Sequence, residues 1–167
     1  RYGNVLGSRG SVLQVWRNQQ EQGKQLQITD TDMTRFWMPL SASVELVWKA
    51  IGCQVGGEIF VPSLKSASVH SLMRTVVQQE RHQAITPNVS VIGIRAGGEK
   101  LHEVLLSTEE VTRTLYDTSS ELYIVPPASP TWTQNAWIGE SIMPTYRYSS
   151  NASDRLMNDD ELRKLIA

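Results

Sequence analysis

The strongest hydrophobic pattern in the chain predicts an amphipathic helix from Ser68 to Gln83. Its apolar residues recur at intervals of three and four positions, which places them on one face of a helix. They are Val69, Leu72, Met73, Val76 and Val77. A stripe of this width is typical of a helix that packs against a core.

Cap residues and periodicity predict further helices. Ser11 and Asn158 are good N-cap residues, and Glu161 follows Asn158 at capping-box spacing. Gly23 is suited to end the first of these helices. The predicted helices are Val12–Gln22, a helix that begins at Ser41 and repeats Val44, Val47, Trp48 and Ile51, a helical segment around Leu101–Leu106, and Asp159–Ile166.

Short apolar runs between these helices predict strands. They are Leu26–Thr29, Arg35–Leu40 (strand or loop), Glu58–Val61, Val89–Ile94, Arg113–Asp117 and Glu121–Val125. The segment 126–151 contains Pro126, Pro127, Pro130 and Pro144 and has little periodicity, so we expect it to be irregular. The alternation of helices and strands predicts an α/β fold. We expect residues 1–125 to hold the sheet and a binding lobe, and 126–167 to form an extension that ends in a helix.

The first residues resemble the end of a buried strand. Tyr2, Val5 and Leu6 are strand formers that need neighbouring strands, and Arg1 stands where an initiator Met is expected. We therefore expect the native polypeptide to continue upstream. An unpaired strand edge at this position would favour association with another chain, so a homo-oligomer is expected.

Composition and charge are those of an ordinary globular domain. The 167 residues are 40% hydrophobic, and 16 basic residues balance 17 acidic ones. No Lys/Arg-rich run indicates nucleic-acid binding, and no apolar run approaches the length that crosses a bilayer. Cys53 is the single cysteine, which suits a reducing compartment, so a cytoplasmic location is expected.

Metal and nucleophile motifs are missing from the sequence. His102-Glu103 lacks the second histidine of a zinc-binding helix, and neither His70 nor His82 supplies one. No serine lies in a G-x-S-x-G turn. The acidic cluster 159–161 is interpreted as a helix cap. We assign no metal and no catalytic residue to this chain.

Four separated segments resemble one subfamily in the same order. They are RYGNVLGSRGSV from Arg1, ITDTDMTRFWM from Ile28, GEIFVPSLKS from Gly57 together with GIRAGGEKLHE from Gly93, and YSSNASDRLMNDDELRKLI from Tyr148. The chain is thereby similar to the inverting UDP-N-acetylglucosamine 4,6-dehydratases of polysaccharide biosynthesis, some of which also invert carbon 5. The resemblance implies the C-terminal portion of a Rossmann-type extended short-chain dehydrogenase/reductase, with its substrate-binding lobe.

The same resemblance implies roles for individual residues. Arg35 and Arg95 would approach the diphosphate of a UDP-sugar, a role that suits planar, permanently charged guanidinium groups. Glu99 would accept hydrogen bonds from the ribose hydroxyls. The remaining implied site residues are Asn4 on the substrate side, Arg9 near phosphate, Gln27 and Thr29 along the uracil, and Tyr2 at the cofactor.

Other interpretations of these residues remain open. Arg35 beside Phe36 and Trp37 could be stacked or paired with an acid, and Arg95 could be a solvated loop residue. Glu99 could favour a following helix, and Asn4 could bond its own backbone. The loop Arg95-Ala96-Gly97-Gly98-Glu99 also departs from the usual Arg-Pro-Gly-Glu, because it lacks the proline and has one more residue. This change predicts a more flexible loop and weaker nucleotide binding.

Motifs for redox chemistry are missing as well. The family uses NAD(P) bound at a glycine-rich turn and a Tyr-x-x-x-Lys pair, and this sequence contains neither G-x-G-x-x-G nor such a pair. The complete parent would bind NAD(P), whereas we expect no cofactor for this chain alone. The function predicted is the substrate-binding part of an NAD(P)-dependent 4,6-dehydratase. Two alternatives are a truncated, self-associating module that binds UDP-sugar weakly or not at all, and an epimerase or reductase of the same class.

Overall fold

The computed structural model describes residues 1–81, 87–129 and 137–167, and within them helices and strands alternate. The helices are α1 (Val12–Glu21), α2 (Leu40–Cys53), α3 (Val69–Arg81), α4 (Thr108–Val111) and α5 (Asp159–Ile166), with a 3-10 turn at Ser153–Arg155. The strands are β1 (Asn4–Val5), β2 (Leu26–Ile28), β3 (Thr34–Met38), β4 (Ile59–Pro62), β5 (Ser66–Ser68), β6 (Val89–Val91), β7 (Leu115–Asp117), β8 (Leu122–Val125) and β9 (Glu140–Ser141).

Contacts divide the chain into two compact units that interleave along the sequence. Unit 1 contains residues 1–2, 41–64 and 104–149, and unit 2 contains residues 3–40, 65–103 and 150–167. Each unit is thus assembled from three separate stretches of chain. The division into residues 1–125 and 126–167 stays a prediction.

Unit 2 combines two small sheets with α1, α3 and α5. In one sheet β1 pairs in parallel with β3, and β3 pairs antiparallel with β5; in the other, β2 and β6 are parallel. The core lies where α1 and α3 cover these strands, and it includes the fully buried Trp16, Leu72 and Met73. Leu162 of α5 closes it. The apolar stripe of α3 therefore faces the core, as its spacing predicted.

Unit 1 is built on an antiparallel sheet in the order β4-β8-β7-β9. A cluster of four tyrosines packs beside it, formed by Tyr116, Tyr123, Tyr146 and Tyr148. The buried Tyr148 hydroxyl donates to the Pro62 carbonyl and accepts from the Leu64 N–H, both at 2.6 Å. The hydroxyl of Tyr148 thus ties the aromatic cluster to the backbone, and the hydroxyls of Tyr123 and Tyr146 bond each other at 2.8 Å.

Two sequence expectations for local structure differ from what is observed. The segment 101–106 is not helical: the Leu101 carbonyl accepts from the Thr34 N–H, so its backbone is used by β3 rather than by a helical turn. Short β9 lies within the segment expected to be irregular. The expected helix end at Gln83, the side chain of His82 and Pro130 lie outside the described residues.

The repeated apolar residues of α2 form a helix, but their side chains are exposed. Trp48 is 69% exposed and Val44, Val47 and Ile51 are each about half exposed, whereas Leu46 is buried. The spacing therefore predicted the helix correctly but does not mark a buried face within the described residues. None of the helices in the described ranges combines the length and the apolarity needed to cross a membrane.

Candidate functional site

A cavity of about 440 Å³ opens within unit 2, a volume in the range of small-molecule sites. One wall comes from β1 and the start of α1, a second from the end of β2 and from β3, and a third from the loop that follows β6. Met33, Trp37 and Val69 form an apolar floor. The cavity thus combines an apolar floor with a polar rim, which suits a ligand with a flat ring and charged groups.

Six of the residues implied by sequence line this one cavity. They are Asn4, Gln27, Thr29, Arg35, Arg95 and Glu99. The other two, Tyr2 and Arg9, are exposed and are not among its lining residues. The structure therefore brings together two arginines, one acid and the polar edge of β2 from positions up to 95 residues apart.

Arg35 is buried beneath the rim and is joined mainly to backbone. It is 6% exposed; Nη1 donates to the carbonyls of Thr34 (2.7 Å) and Leu101 (3.1 Å), and Nη2 donates to that of Lys100 (2.7 Å). Carboxylates of Glu99 and Glu103 lie 3.9 and 3.6 Å from it. Arg35 thereby fastens segment 99–103 to β3, which is a structural role in addition to its charge.

Arg95 is the exposed cation of the rim, with 72% of its side chain accessible. Its guanidinium donates to Glu99 from Nε (3.2 Å) and Nη2 (2.7 Å), and its backbone N–H donates to the same carboxylate at 2.9 Å. Hydrogen bonding to Arg95 holds the pKa of Glu99 below its ordinary value, although burial opposes the shift. Gly97 and Gly98 have φ values of 108° and 96°, the left-handed region that lets the lengthened loop fold back on itself.

The polar edge of β2 is partly occupied by α1. The Gln27 carbonyl accepts from Trp16 Nε1 at 2.9 Å, and the Gln27 N–H donates to Gln19 Oε1 at 3.0 Å. These bonds fix the strand against the helix and leave Thr29, 9% exposed, as the neighbouring polar side chain of the wall.

Sequence reasoning missed one potential binding residue, Ser11, at the start of α1. Ser11 lines the cavity as the N-cap residue, yet its hydroxyl makes no capping bond, and it is buried without a hydrogen-bond partner in the described part of the chain. The sequence marked Ser11 as a cap only. The signal available was the position of a serine at a helix start that follows a glycine loop, where N–H groups suit anions.

The arrangement defines a nucleotide-sized pocket in an α/β unit, and comparisons with known proteins give its class. Residues 1–125 match the family described as polysaccharide biosynthesis protein. The chain belongs to this family. The predicted fold class, the C-terminal portion of a Rossmann-type extended short-chain dehydrogenase/reductase, is confirmed.

Individual relatives make the likeness more specific. Over an alignment of 176 positions, the chain is 37% identical to an inverting UDP-N-acetylglucosamine 4,6-dehydratase of Campylobacter jejuni. The alignment covers 99% of this chain and 49% of that protein. The chain is 38% identical to a UDP-glucose 4-epimerase of Rickettsia massiliae, over 75% of this chain and 35% of that one. The crystal structure of Pen from Bacillus thuringiensis superposes with a TM-score of 0.82 at 26% identity, over 99% of this chain and 47% of that one. The chain thus spans about half the length of the dehydratase and of Pen, and 35% of the length of the epimerase.

Proposed function

We propose that this chain is the substrate-binding part of an NAD(P)-dependent nucleotide-sugar dehydratase that acts on UDP-N-acetylglucosamine in polysaccharide biosynthesis. The observation that carries the proposal is the single cavity that collects Asn4, Thr29, Arg35, Arg95 and Glu99. The activities of these relatives support it, since both the dehydratase and the epimerase act on UDP-sugars.

Each part of the proposed ligand has a matching group in the wall. Arg95 and the first turn of α1 with Ser11 bind the diphosphate, because a guanidinium and helical N–H groups both favour anions. Arg35 adds positive charge from below while it holds segment 99–103. Thr29 and the Gln27 side chain lie along the base, Glu99 accepts from the ribose hydroxyls, and Asn4 contacts the sugar side.

The further parts of the proposal concern the parent subunit. NAD(P) and the redox and proton-transfer groups belong to the portion of the relatives that this chain does not cover, and Tyr2 is proposed to face that cofactor. Arg9 adds positive potential near phosphate. We place the parent in the cytoplasm as a homo-oligomer, in keeping with the single exposed cysteine, Cys53.

Calorimetric titration with UDP tests the binding function directly. We expect UDP to bind the chain, and Arg95→Ala to weaken binding by about tenfold through loss of a charge-assisted contact. Arg163→Ala is the matched control, because Arg163 is also an exposed arginine paired with a nearby carboxylate, Asp160, at 2.7 Å, but is not among the lining residues. Absence of UDP binding would refute the proposal and favour the non-catalytic module.

A further inference from the structure

At the rim of the cavity, the exposed guanidinium of Arg95 is already paired with a carboxylate of the chain itself, that of Glu99. Glu99 accepts three hydrogen bonds from Arg95, two from the guanidinium and one from the backbone N–H, at 2.7 to 3.2 Å. These guanidinium donors, Nε and Nη2, form the edge that would otherwise grip a phosphate in a bidentate manner.

Glu99 lies close to two guanidinium groups rather than facing solvent. Its side chain is 12% exposed, and Arg35 Nη2 lies 3.9 Å from Oε1, the oxygen that also accepts from Arg95 Nη2. The carboxylate is held there by the glycine turn at Gly97 and Gly98, whose positive φ values bring residue 99 back onto residue 95. The contact is therefore built into the loop.

A phosphate that enters the cavity competes directly with this carboxylate. The same N–H groups cannot point at two acceptors with good geometry, and two anions about 3 Å apart repel each other strongly in a partly buried site. Building on the proposed function, we propose that Glu99 is an internal competitor that a diphosphate must displace from Arg95, so that it sets the affinity of the cavity for anions. Once displaced, the carboxylate is free to accept hydrogen bonds from a ribose.

The charged groups around Glu99 define a matched control. Arg95 and Arg35 face its carboxylate, and Lys100 follows it in the chain. Glu103 also lies near Arg35, with Oε1 3.6 Å from Nε, but it makes no contact with Arg95 in the bonds described and is not a lining residue. Glu103→Gln therefore removes the same charge from the same segment without freeing the Arg95 donors.

The test is titration of the chain with inorganic pyrophosphate and, separately, with UDP. We expect Glu99→Gln to bind pyrophosphate about tenfold more tightly than the unmodified chain, since a neutral amide competes less well for a guanidinium than a carboxylate does. Glu103→Gln should change that affinity by less than about threefold, because Glu103 does not occupy the Arg95 donors and its side chain, 39% exposed, is better screened by solvent than that of Glu99. The gain for UDP should be smaller than the gain for pyrophosphate, because the ribose contact is weakened at the same time.

The outcomes separate this inference from the proposed function. Unchanged or weaker pyrophosphate binding by Glu99→Gln overturns the internal competitor, even when the unmodified chain binds UDP. An equal gain in Glu103→Gln also overturns it, because net charge alone would then explain the effect. A gain in pyrophosphate affinity that is specific to Glu99→Gln supports the internal competitor. If UDP is at the same time bound no more tightly than pyrophosphate, the result refutes the UDP-sugar site. Glu99→Ala repeats the measurement if circular dichroism shows that Glu99→Gln is misfolded.

Discussion

The buried guanidinium of Arg35 should stabilise the folded chain by more than its two long ion pairs, with Glu99 and Glu103, would suggest. Replacement by Met removes charge-assisted hydrogen bonds to the part-buried carbonyls of Lys100 and Leu101, of which the Leu101 carbonyl keeps the Thr34 N–H. It also removes a cation from beside Glu99 and Glu103. We expect Arg35→Met to lower the free energy of unfolding by about 2–4 kcal/mol in urea denaturation. Arg163→Met, at an exposed position, is the control, and an equal loss in both variants would contradict a structural role for Arg35.

This dual role bears on how binding experiments should be designed. Loss of UDP binding in a variant of Arg35 would report either a missing charge or a displaced segment 99–103, whereas Arg95 is exposed and touches mainly Glu99. The resemblance implied that Arg35 and Arg95 share a site, and both line the same cavity. The sequence could not predict the partners of Arg35, because these are backbone carbonyls 65 and 66 residues away that any residue type supplies.

Glu110 in unit 1 makes a pH-dependent contribution to the stability of the folded chain. The Arg1 guanidinium donates to it at 2.7 and 2.5 Å, and this pairing, with donation from the Ser107 N–H, lowers its pKa from 4.5 to about 2 against the effect of burial. A depressed folded-state pKa gives stability that is present above about pH 4.5 and is lost as the pH falls towards 2.

We expect the Glu110 carboxylate to add roughly 1–2 kcal/mol to the free energy of unfolding at neutral pH. The value is kept this small because Arg1 is partly exposed and solvent screens the pair. Urea unfolding at a series of pH values measures it. Glu110→Gln should lower stability at pH 7 and flatten the loss between pH 4.5 and 2. Glu45→Gln, at a carboxylate that is 63% exposed, should leave the slope unchanged. A slope that persists in Glu110→Gln would show that other groups cause the acid sensitivity.

At the scale of elements, α5 depends on its capping box. The Asn158 side chain accepts from the Glu161 N–H and the Glu161 carboxylate accepts from the Asn158 N–H, both at 2.9 Å. We expect Asn158→Ala to cost about 1 kcal/mol and Asn158→Gly only a few tenths, since glycine adopts the cap conformation readily. Amide exchange along α5 and urea denaturation measure the effect. Asp160→Ala, in the same turn at an 81% exposed side chain, should have little influence, and equal losses at 158 and 160 would argue against the cap.

Elements that depend on neighbours in sequence were predicted well. The helix Asp159–Ile166 was predicted correctly because its cap is local, and α3 because its stripe faces a core. The helix expected at 101–106 was wrong because distant residues bond the backbone of that segment: the Leu101 carbonyl accepts from the Thr34 N–H of β3, and the Glu103 carbonyl accepts from the Ser150 N–H. Helix α2 was predicted from its spacing, but spacing alone does not show whether an apolar face is covered, and here Val44 and Trp48 are exposed.

At the scale of the whole molecule, the interleaving of the two units was not visible in the sequence. The chain leaves unit 2 after residue 40, returns at residue 65, leaves again after residue 103 and returns at residue 150. No composition shift marks these crossings: two of them lie beside the starts of α2 and β5, and the other two lie in segments outside the named helices and strands. What the sequence did show is that residues of the proposed site lie in two blocks, before residue 40 and between 65 and 103, which are the first two stretches of unit 2.

The chemistry proposed for the parent should be missing from this chain on its own. Dehydration at a sugar carbon requires hydride transfer to a nicotinamide and a proton-transfer group, and the sequence holds no G-x-G-x-x-G turn and no lysine four residues after any tyrosine. Incubated with UDP-N-acetylglucosamine and NAD(P), the chain should give no dehydrated product by mass spectrometry, although it binds UDP. A full-length dehydratase of the Campylobacter jejuni type assayed in parallel shows that the conditions support turnover. Product formed by this chain, and lost in Arg95→Ala, would mean that the cavity supplies catalytic groups as well as binding, and the division of labour proposed here would then be wrong.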